Sequence, residues 1–223
     1  MIPLKDNLKP LKFPLVNIVL IISNIAVFIY QLQLTEEAHM EFLFSYGAIP
    51  QRFFLLANTP WMPEFWLPLL TSIFLHGGWL HLFSNIIFLW VFGDNVEDRF
   101  GHVPYFLFYL FAGVAASFFH AVFNPVSQVP AIGASGAIAG VLGAYFILFP
   151  RAKVLALLPL GFFITTVYLP AMAFLFLWFL LQIFNAVIVE TVGAAGTVAW
   201  WAHIGGFVVG ALLTILYLIL RRF

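Results

Sequence analysis

The chain has 223 residues, of which 64% are hydrophobic and 8% charged, with a mean hydropathy of +1.07 and 28 phenylalanines. Such a composition excludes a soluble domain and reads as a polytopic membrane protein. A formal net charge of zero gives no basic surface for nucleic acid, and with no cysteine there is no disulfide or thiolate chemistry.

Met1 to Lys12 is polar and proline-rich, and the apolar run after it lacks a small-residue cleavage site, so that run is expected to be a retained span rather than a signal peptide. Spans are predicted at about 14–33, 79–97, 103–123, 134–150, 168–189 and 200–220. No internal repeat is visible, which counts against the inverted-repeat transporters. The longest connection, Leu34 to Gly77, carries Phe42, Phe44, Phe53, Phe54, Trp61, Phe65 and Trp66. It is expected to be folded and half sunk in the membrane interface, where Trp and Tyr prefer to sit. Six spans put both termini on one side, together with Lys5, Lys9, Lys12, Arg99, Arg151, Lys153, Arg221 and Arg222, while Arg52 alone lies on the other. The positive-inside rule then makes the termini cytoplasmic and turns the loop from Asn124 to Gly133 outward.

The second span follows a break at Gly77-Gly78 and carries His81 and Asn85 in its first two turns, on one helix face by their i,i+4 spacing. Taken alone, the pair reads as polar residues bonding across helices. A zinc site is rejected: His76 and His81 are five apart and turn to different faces, and no His-Glu-x-x-His is present.

The fourth span opens with Gly133-Ala134-Ser135-Gly136-Ala137-Ile138-Ala139-Gly140. Small residues at spacing four read first as helix packing. A soluble-hydrolase elbow is rejected, because it needs Gly-x-Ser-x-Gly after a strand. From Ala134 to Phe149 the segment is uncharged and stops at Pro150-Arg151. At 1.5 Å per residue it covers roughly 24 Å, less than the roughly 30 Å of a bilayer core. Anchored at its far end by Arg151 and Lys153, it leaves Ser135 below the outer surface. The last span begins Trp200-Trp201-Ala202-His203 and continues through Gly205, Gly206 and Gly210. A lone membrane histidine reads as a hydrogen-bonded structural group, yet an intramembrane ionisable residue is also a functional-site hypothesis. Here Gly206 and Gly210 share its face, and two small-residue faces can bring the Ser135 hydroxyl and the His203 imidazole together.

Three separate stretches thus deliver a serine, a histidine and a His/Asn pair to one depth. The chemistry they suggest is acyl transfer, since serine is a weak nucleophile until a base takes its proton and neutral histidine is the usual base. No carboxylate lies near His203 at this depth, Glu190 being ten or more residues away, so helix packing is expected to orient the imidazole. Asn85, His81 and the Ser135 backbone N–H are the candidate donors to an oxyanion. No metal or cofactor is called for.

With these residues in place, the chain resembles the rhomboid intramembrane serine proteases of bacterial type over nearly its whole length. The resemblance rests on Gly133-Ala134-Ser135-Gly136, on His81-Leu82-Phe83-Ser84-Asn85 with His76 ahead of it, on Ala202-His203-Ile204-Gly205-Gly206 with Gly210, and on Gly93-x3-Glu97-x-Arg99-x-Gly101. It implies an all-α membrane fold: a six-transmembrane-helix bundle with a short central fourth helix and a large interfacial first loop. It also implies a single domain over 1–223, with 1–13 a short cytoplasmic segment, in a prokaryotic cell membrane. For the site it implies a Ser135–His203 dyad, an oxyanion hole of His81, Asn85 and the Ser135 N–H, and a water-filled cavity open to the outside. The implied partners are the lipid bilayer and single-pass or polytopic transmembrane substrates, which enter past the fifth helix (Phe174, Phe176, Trp178, Phe179). Two positions depart from some relatives: Trp66-Leu67-Pro68 stands where they carry a Trp-Arg pair, and Ala139 where they have a tyrosine stacked on the histidine. Trp79 and Tyr145 are the sequence's candidates for holding the ring instead. A rhomboid-like scaffold that binds transmembrane clients without cutting them is the alternative; a small channel or transporter ranks third, because the inner halves of the spans lack ionisable groups.

Overall fold

The computed structural model describes residues 1–160, 163–192 and 198–221. In chain order it runs β1 (Ile2–Asp6), α1 (Leu15–Gln31), α2 (Glu36–Tyr46), α3 (Pro50–Leu55), α4 (Pro63–Thr71), a 3-10 turn (Ser72–Phe74), α5 (Trp79–Phe100) and α6 (His102–Phe123). It continues with α7 (Ser135–Leu148), β2 (Lys153–Leu160), β3 (Phe163–Pro170), α8 (Ala171–Val192) and α9 (Trp200–Leu220). A helix occupies each predicted span. Among the described residues α6, α8 and α9 are long and apolar enough to cross a membrane. A fourth crossing is counted if α5 is joined to the Pro63–Phe74 segment, from which it bends by 84°, while α1 and α7 are shorter apolar helices.

Local chemistry sets several boundaries. The Thr35 hydroxyl caps α2 by accepting from the Ala38 N–H at 3.3 Å. Proline opens α3 and α4, where its missing N–H is no loss. Gly101, with φ +87°, makes the turn from α5 into α6 in a conformation that favours glycine. The predicted apolar loop, 34–77, folds into α2, α3, α4 and the 3-10 turn.

The bundle is centred on α7, in which every residue from Gly136 to Tyr145 is buried. Its glycines let two neighbours approach to backbone contact. A Cβ added at Gly206 would overlap the Gly136 carbonyl, one at Gly210 the Gly140 carbonyl, and one at Gly143 the Phe207 carbonyl. On the other side Gly136 and Gly140 receive the Ala116 and Ala112 methyls of α6, where added Cβ atoms would stand only 2.7 and 2.5 Å away.

Helix α1 packs a polar stripe inward at seven-residue spacing, with Asn17, Asn24 and Gln31 each 1–2% exposed. Asn17 donates to the Leu89 carbonyl at 3.0 Å and accepts from the Tyr105 hydroxyl at 2.8 Å. Its helix start is held by Glu97, whose carboxylate accepts the Val16 and Asn17 N–H groups at 2.9 and 2.7 Å. The Gly93/Glu97/Gly101 pattern is thereby explained as packing. A side chain at Gly93 would strike Asn17 and Tyr105, Glu97 caps α1, and Gly101 makes a turn.

The structure adds to the all-helical expectation a small antiparallel sheet in the order β1-β2-β3. The N-terminal segment, read from sequence as a short polar lead, pairs Ile2 with Leu157 and Asp6 with Val154. The β2–β3 ladder runs from Lys153 opposite Pro170 to Leu160 opposite Phe163, so the fifth helix begins at Ala171 rather than at 168. Asp6 ties the sheet to the bundle, accepting from the Tyr145 hydroxyl at 2.5 Å and the Asn95 amide at 3.0 Å. Desolvation raises its carboxyl above the ordinary range, and the Tyr145 bond partly offsets that.

The α7–α9 crossing makes a direct prediction. Gly210→Ala forces the two backbones apart and is expected to lower stability by about 1–3 kcal/mol, the usual cost of overpacking. The check is thermal unfolding in detergent, and a midpoint equal to that of the parent would refute the close-crossing account.

Candidate active site

Helices α5, α7 and α9 present their N-terminal turns to one cavity of about 710 Å³. Ser135 is the first residue of α7, so its backbone N–H has no helical carbonyl to bond, and among the described residues it has no other acceptor. His203 lies in the first turn of α9, and His81 and Asn85 in the first two turns of α5. All four side chains that the sequence singled out line this cavity, joined by Trp178 and Gln182 of α8 and by Trp200.

The loop before Ser135 is fixed from the far side. Ala131 and Ala48 exchange backbone hydrogen bonds at 2.8 and 3.0 Å, and the Gly133 N–H donates to the Ser72 carbonyl at 2.8 Å. Gly133 has φ +120°, which glycine adopts without strain. It also gives way to the α5 pair: a Cβ here would stand 2.5 Å from His81 Nε2 and 3.6 Å from Asn85 Nδ2. Both nitrogens therefore converge on the backbone two residues before Ser135. The Gly77 N–H donates to His81 Nδ1 at 3.4 Å, which leaves Nε2 as the hydrogen-bearing nitrogen that faces Gly133.

Asn85 is 6% exposed, and its amide nitrogen lies 2.9 Å from His76 Nε2. His76 Nδ1 faces the Phe74 carbonyl at 3.2 Å. Because a carbonyl only accepts, Nδ1 carries the proton and Nε2 accepts from Asn85. One Asn85 N–H is so engaged, and among the described residues the other has no hydrogen-bond partner. His76 itself is gripped by Gln31, which accepts its N–H and donates to its carbonyl, both at 3.0 Å. Sequence reading rejects His76 as a metal ligand and keeps it as part of the family motif, with no role of its own; the structure makes it the support of Asn85.

His203 is 9% exposed and bonds through Nδ1 to Gln182 Oε1 at 2.8 Å. The Trp178 ring lies 6.0 Å from the imidazole, tilted by 31°, and Trp200 meets it edge-on at 5.9 Å. The two aromatic residues suggested from sequence are elsewhere. Trp79 packs on Phe28 and Phe83, and Tyr145 on Phe92 and Phe149. Sequence reading does not single out Gln182. Its signal was an amide among apolar residues of the fifth span, one turn after Trp178. Among the described residues no hydrogen bond joins Ser135 to His203; the two share the cavity wall.

In place of a Trp-Arg pair, Trp66 donates to the Pro60 carbonyl at 2.6 Å, and Thr71 bonds the Tyr46 carbonyl at 2.7 Å. The loop is anchored by its own backbone.

Fold and cavity together define an integral membrane protein with a serine, two histidines and an asparagine gathered at one end of its helices. The Rhomboid domain family matches the chain over residues 63–220, and the chain belongs to that family. Relatives include Rhomboid-like protein 11, chloroplastic, of Arabidopsis thaliana, 36% identical over 102 residues, covering 44% of this chain and 36% of the relative. The rhomboid protease GluP of Bacillus subtilis is 47% identical over 79 residues, which cover 35% of this chain and 15% of its own length. RHOMBOID-like protein 1 of Arabidopsis thaliana is 35% identical over 153 residues, 68% of this chain and 34% of that protein. The chain thus spans well under two thirds of the length of the curated relatives it matches.

Proposed function

We propose that this protein is an intramembrane serine endopeptidase that cleaves transmembrane proteins near the extracytoplasmic face with a Ser135–His203 dyad. The observation that carries the reading is the common cavity of Ser135, His203, His81 and Asn85. In this scheme His203 takes the Ser135 hydroxyl proton, and Oγ attacks the scissile carbonyl carbon. The carbonyl electron pair moves onto oxygen, where His81 Nε2–H, the free Asn85 N–H and the Ser135 N–H receive the charge. As the tetrahedral intermediate collapses, the C–N bond breaks and His203 hands its proton to the departing amine. A water, activated by the same imidazole, then releases the acyl group.

The proposed setting is six spans forming a single unit over 1–223, with residues 1–13 and both termini cytoplasmic and the protein in a prokaryotic cell membrane. Its support is the placement of basic residues and the helices that occupy the six predicted spans. The cavity then opens to the outside, where water for hydrolysis is available.

Ser135→Ala and His203→Ala are expected to abolish cleavage of a membrane substrate while leaving the fold intact, and Ser135→Ala should also abolish labelling by a fluorophosphonate. Wild-type protein that takes up no fluorophosphonate at Ser135 would favour a client-binding scaffold instead.

Asn85→Ala removes one preorganised donor of three. Turnover should fall by roughly 10- to 1000-fold with less change in KM, the range known for a single oxyanion donor. Unchanged turnover would reduce Asn85 to a packing contact.

The position of cleavage follows from lipid physics. A scissile backbone must leave the helix, and unsatisfied peptide groups cost several kcal/mol in hydrocarbon. The cut is therefore expected in the first two or so turns of the substrate span or just outside it, helped by Gly and Pro, which weaken a helix. Moving a Gly-Ala-rich segment along a single-pass substrate and mapping product termini by mass spectrometry tests this. Equal cleavage of an unbroken poly-Leu span would refute it.

A further inference from the structure

We propose that Gln182 is a positioning residue for His203: it fixes the neutral imidazole in the tautomer whose free lone pair is on Nε2. The inference rests on the dyad reading above and deepens it.

Gln182 lies on α8, 5% exposed, and its side chain reaches His203 on α9. Its amide bonds at both ends. Nε2 lies 2.9 Å from the Trp178 backbone carbonyl one turn earlier, and Oε1 lies 2.8 Å from His203 Nδ1. The two ends of a glutamine amide are not interchangeable here. The Trp178 carbonyl has no hydrogen to give, so the amide nitrogen must be the group that faces it. The amide oxygen then faces the imidazole, and since that oxygen only accepts, Nδ1 must carry the hydrogen. A neutral imidazole has one N–H, so Nε2 is left with its lone pair, as a base requires. Tautomer and ring orientation are thus traced to a backbone carbonyl, through one amide, across two helices.

Trp178 serves twice in this arrangement. Its carbonyl holds the Gln182 nitrogen, and its ring packs against the imidazole at 6.0 Å. Without the amide the ring would keep its aromatic neighbours but lose the group that selects between its nitrogens. An unheld imidazole in water prefers its hydrogen on Nε2, which is the unproductive form for accepting the serine proton. The competing explanation is that Gln182 merely satisfies its own buried amide, in which case an apolar residue of the same length would serve as well.

The test compares Gln182→Met, which keeps length and loses the acceptor, with Gln182→Glu, which as the neutral acid favoured by burial keeps an acceptor oxygen for His203 and a hydrogen for the Trp178 carbonyl. Each full chain is prepared in detergent with 15N-labelled histidine, and the His203 signals are identified by their loss in His203→Ala. Long-range 1H–15N correlations then report which ring nitrogen bears the hydrogen, independently of any activity. The parent and Gln182→Glu are expected to carry it on Nδ1, and Gln182→Met to shift toward Nε2. With a model transmembrane substrate, kcat of Gln182→Met should fall by at least about 10-fold and by no more than the roughly 10⁴-fold seen when a serine protease histidine is held in the wrong tautomer. KM and the thermal midpoint should stay near the parent values, and Gln182→Glu should recover most of the turnover. A Gln182→Met protein that keeps Nδ1–H, or that turns over at the parent rate, overturns the proposal. If the parent itself fails to label with fluorophosphonate, the dyad reading falls, and the tautomer spectra still decide what Gln182 does to His203.

Discussion

The close crossing of α7 and α9 is the contact on which the remaining geometry depends. Two apolar helices in lipid gain nothing from the hydrophobic effect when they meet, so their association relies on packing and on backbone approach. Gly136, Gly140 and Gly143 on one helix and Gly206 and Gly210 on the other remove every side chain that would hold the carbonyls apart. The register of that crossing decides which residues share a level. With Gly206 at Gly136 and Gly210 at Gly140, the first residue of α7 and the first turn of α9 fall at the same end, and Ser135 and His203 border one cavity. A shift of one helical turn, about 5.4 Å, would leave the same glycines in partial contact and separate hydroxyl from imidazole. The small-residue stripe that reads first as mere packing is therefore also what places the site.

A second constraint is that hydrocarbon offers no hydrogen-bond partners, so each buried polar group must find one within the protein. The bundle meets most of it with short relays, leaving Asn24 Oδ1 and the Tyr109 hydroxyl without a hydrogen-bond partner among the described residues. Glu97 satisfies the free N–H groups at the start of α1; Asn17 links α1 to the Leu89 carbonyl and the Tyr105 hydroxyl. Gln31, at the other end of the same stripe, holds both backbone groups of His76, whose ring holds Asn85. Helix α1 contributes nothing to the cavity wall, yet the orientation of Asn85, the proposed oxyanion donor, leads back to it.

The sequence made the cavity residues visible because intramembrane polar residues are scarce, and each of the four stood in an otherwise apolar or small-residue stretch at a common depth. Helix positions were equally legible, since long apolar runs bounded by Gly, Pro or basic residues leave little choice. What escaped were pairings between elements. Gln182 and His203 lie on different helices, and no periodicity within α8 tells which face of α9 it meets. The sheet escaped for a related reason. β1 has no partner within its own stretch of sequence, and β2 and β3 are largely apolar, with no polar alternation to mark them as strands. Ala139 marked the absence of a stacking tyrosine, but nothing local could say that Trp178, Trp200 and an amide would surround the ring in its stead.

That a neutral amide, rather than a carboxylate, meets His203 fits the medium. A carboxylate there would be a charge in a low-dielectric bundle, and its desolvation would cost several kcal/mol unless other donors compensated it. A glutamine supplies the same acceptor geometry with no net charge, and its second polar end is satisfied by the carbonyl of its own helix one turn back. The loss is in electrostatic support, because an amide stabilises a protonated imidazole less than an anion does. The helix ends bear on the same balance: Ser135 and His203 both sit at helix N-termini, where free N–H groups and the macrodipole favour negative charge. In the proposed reaction that field would assist an oxyanion forming beside Ser135 and oppose a positive charge on His203. Under the proposed mechanism, the arrangement suits an imidazole that holds its extra proton briefly and returns it to the leaving group, with the tautomer of its resting state set beforehand by Gln182.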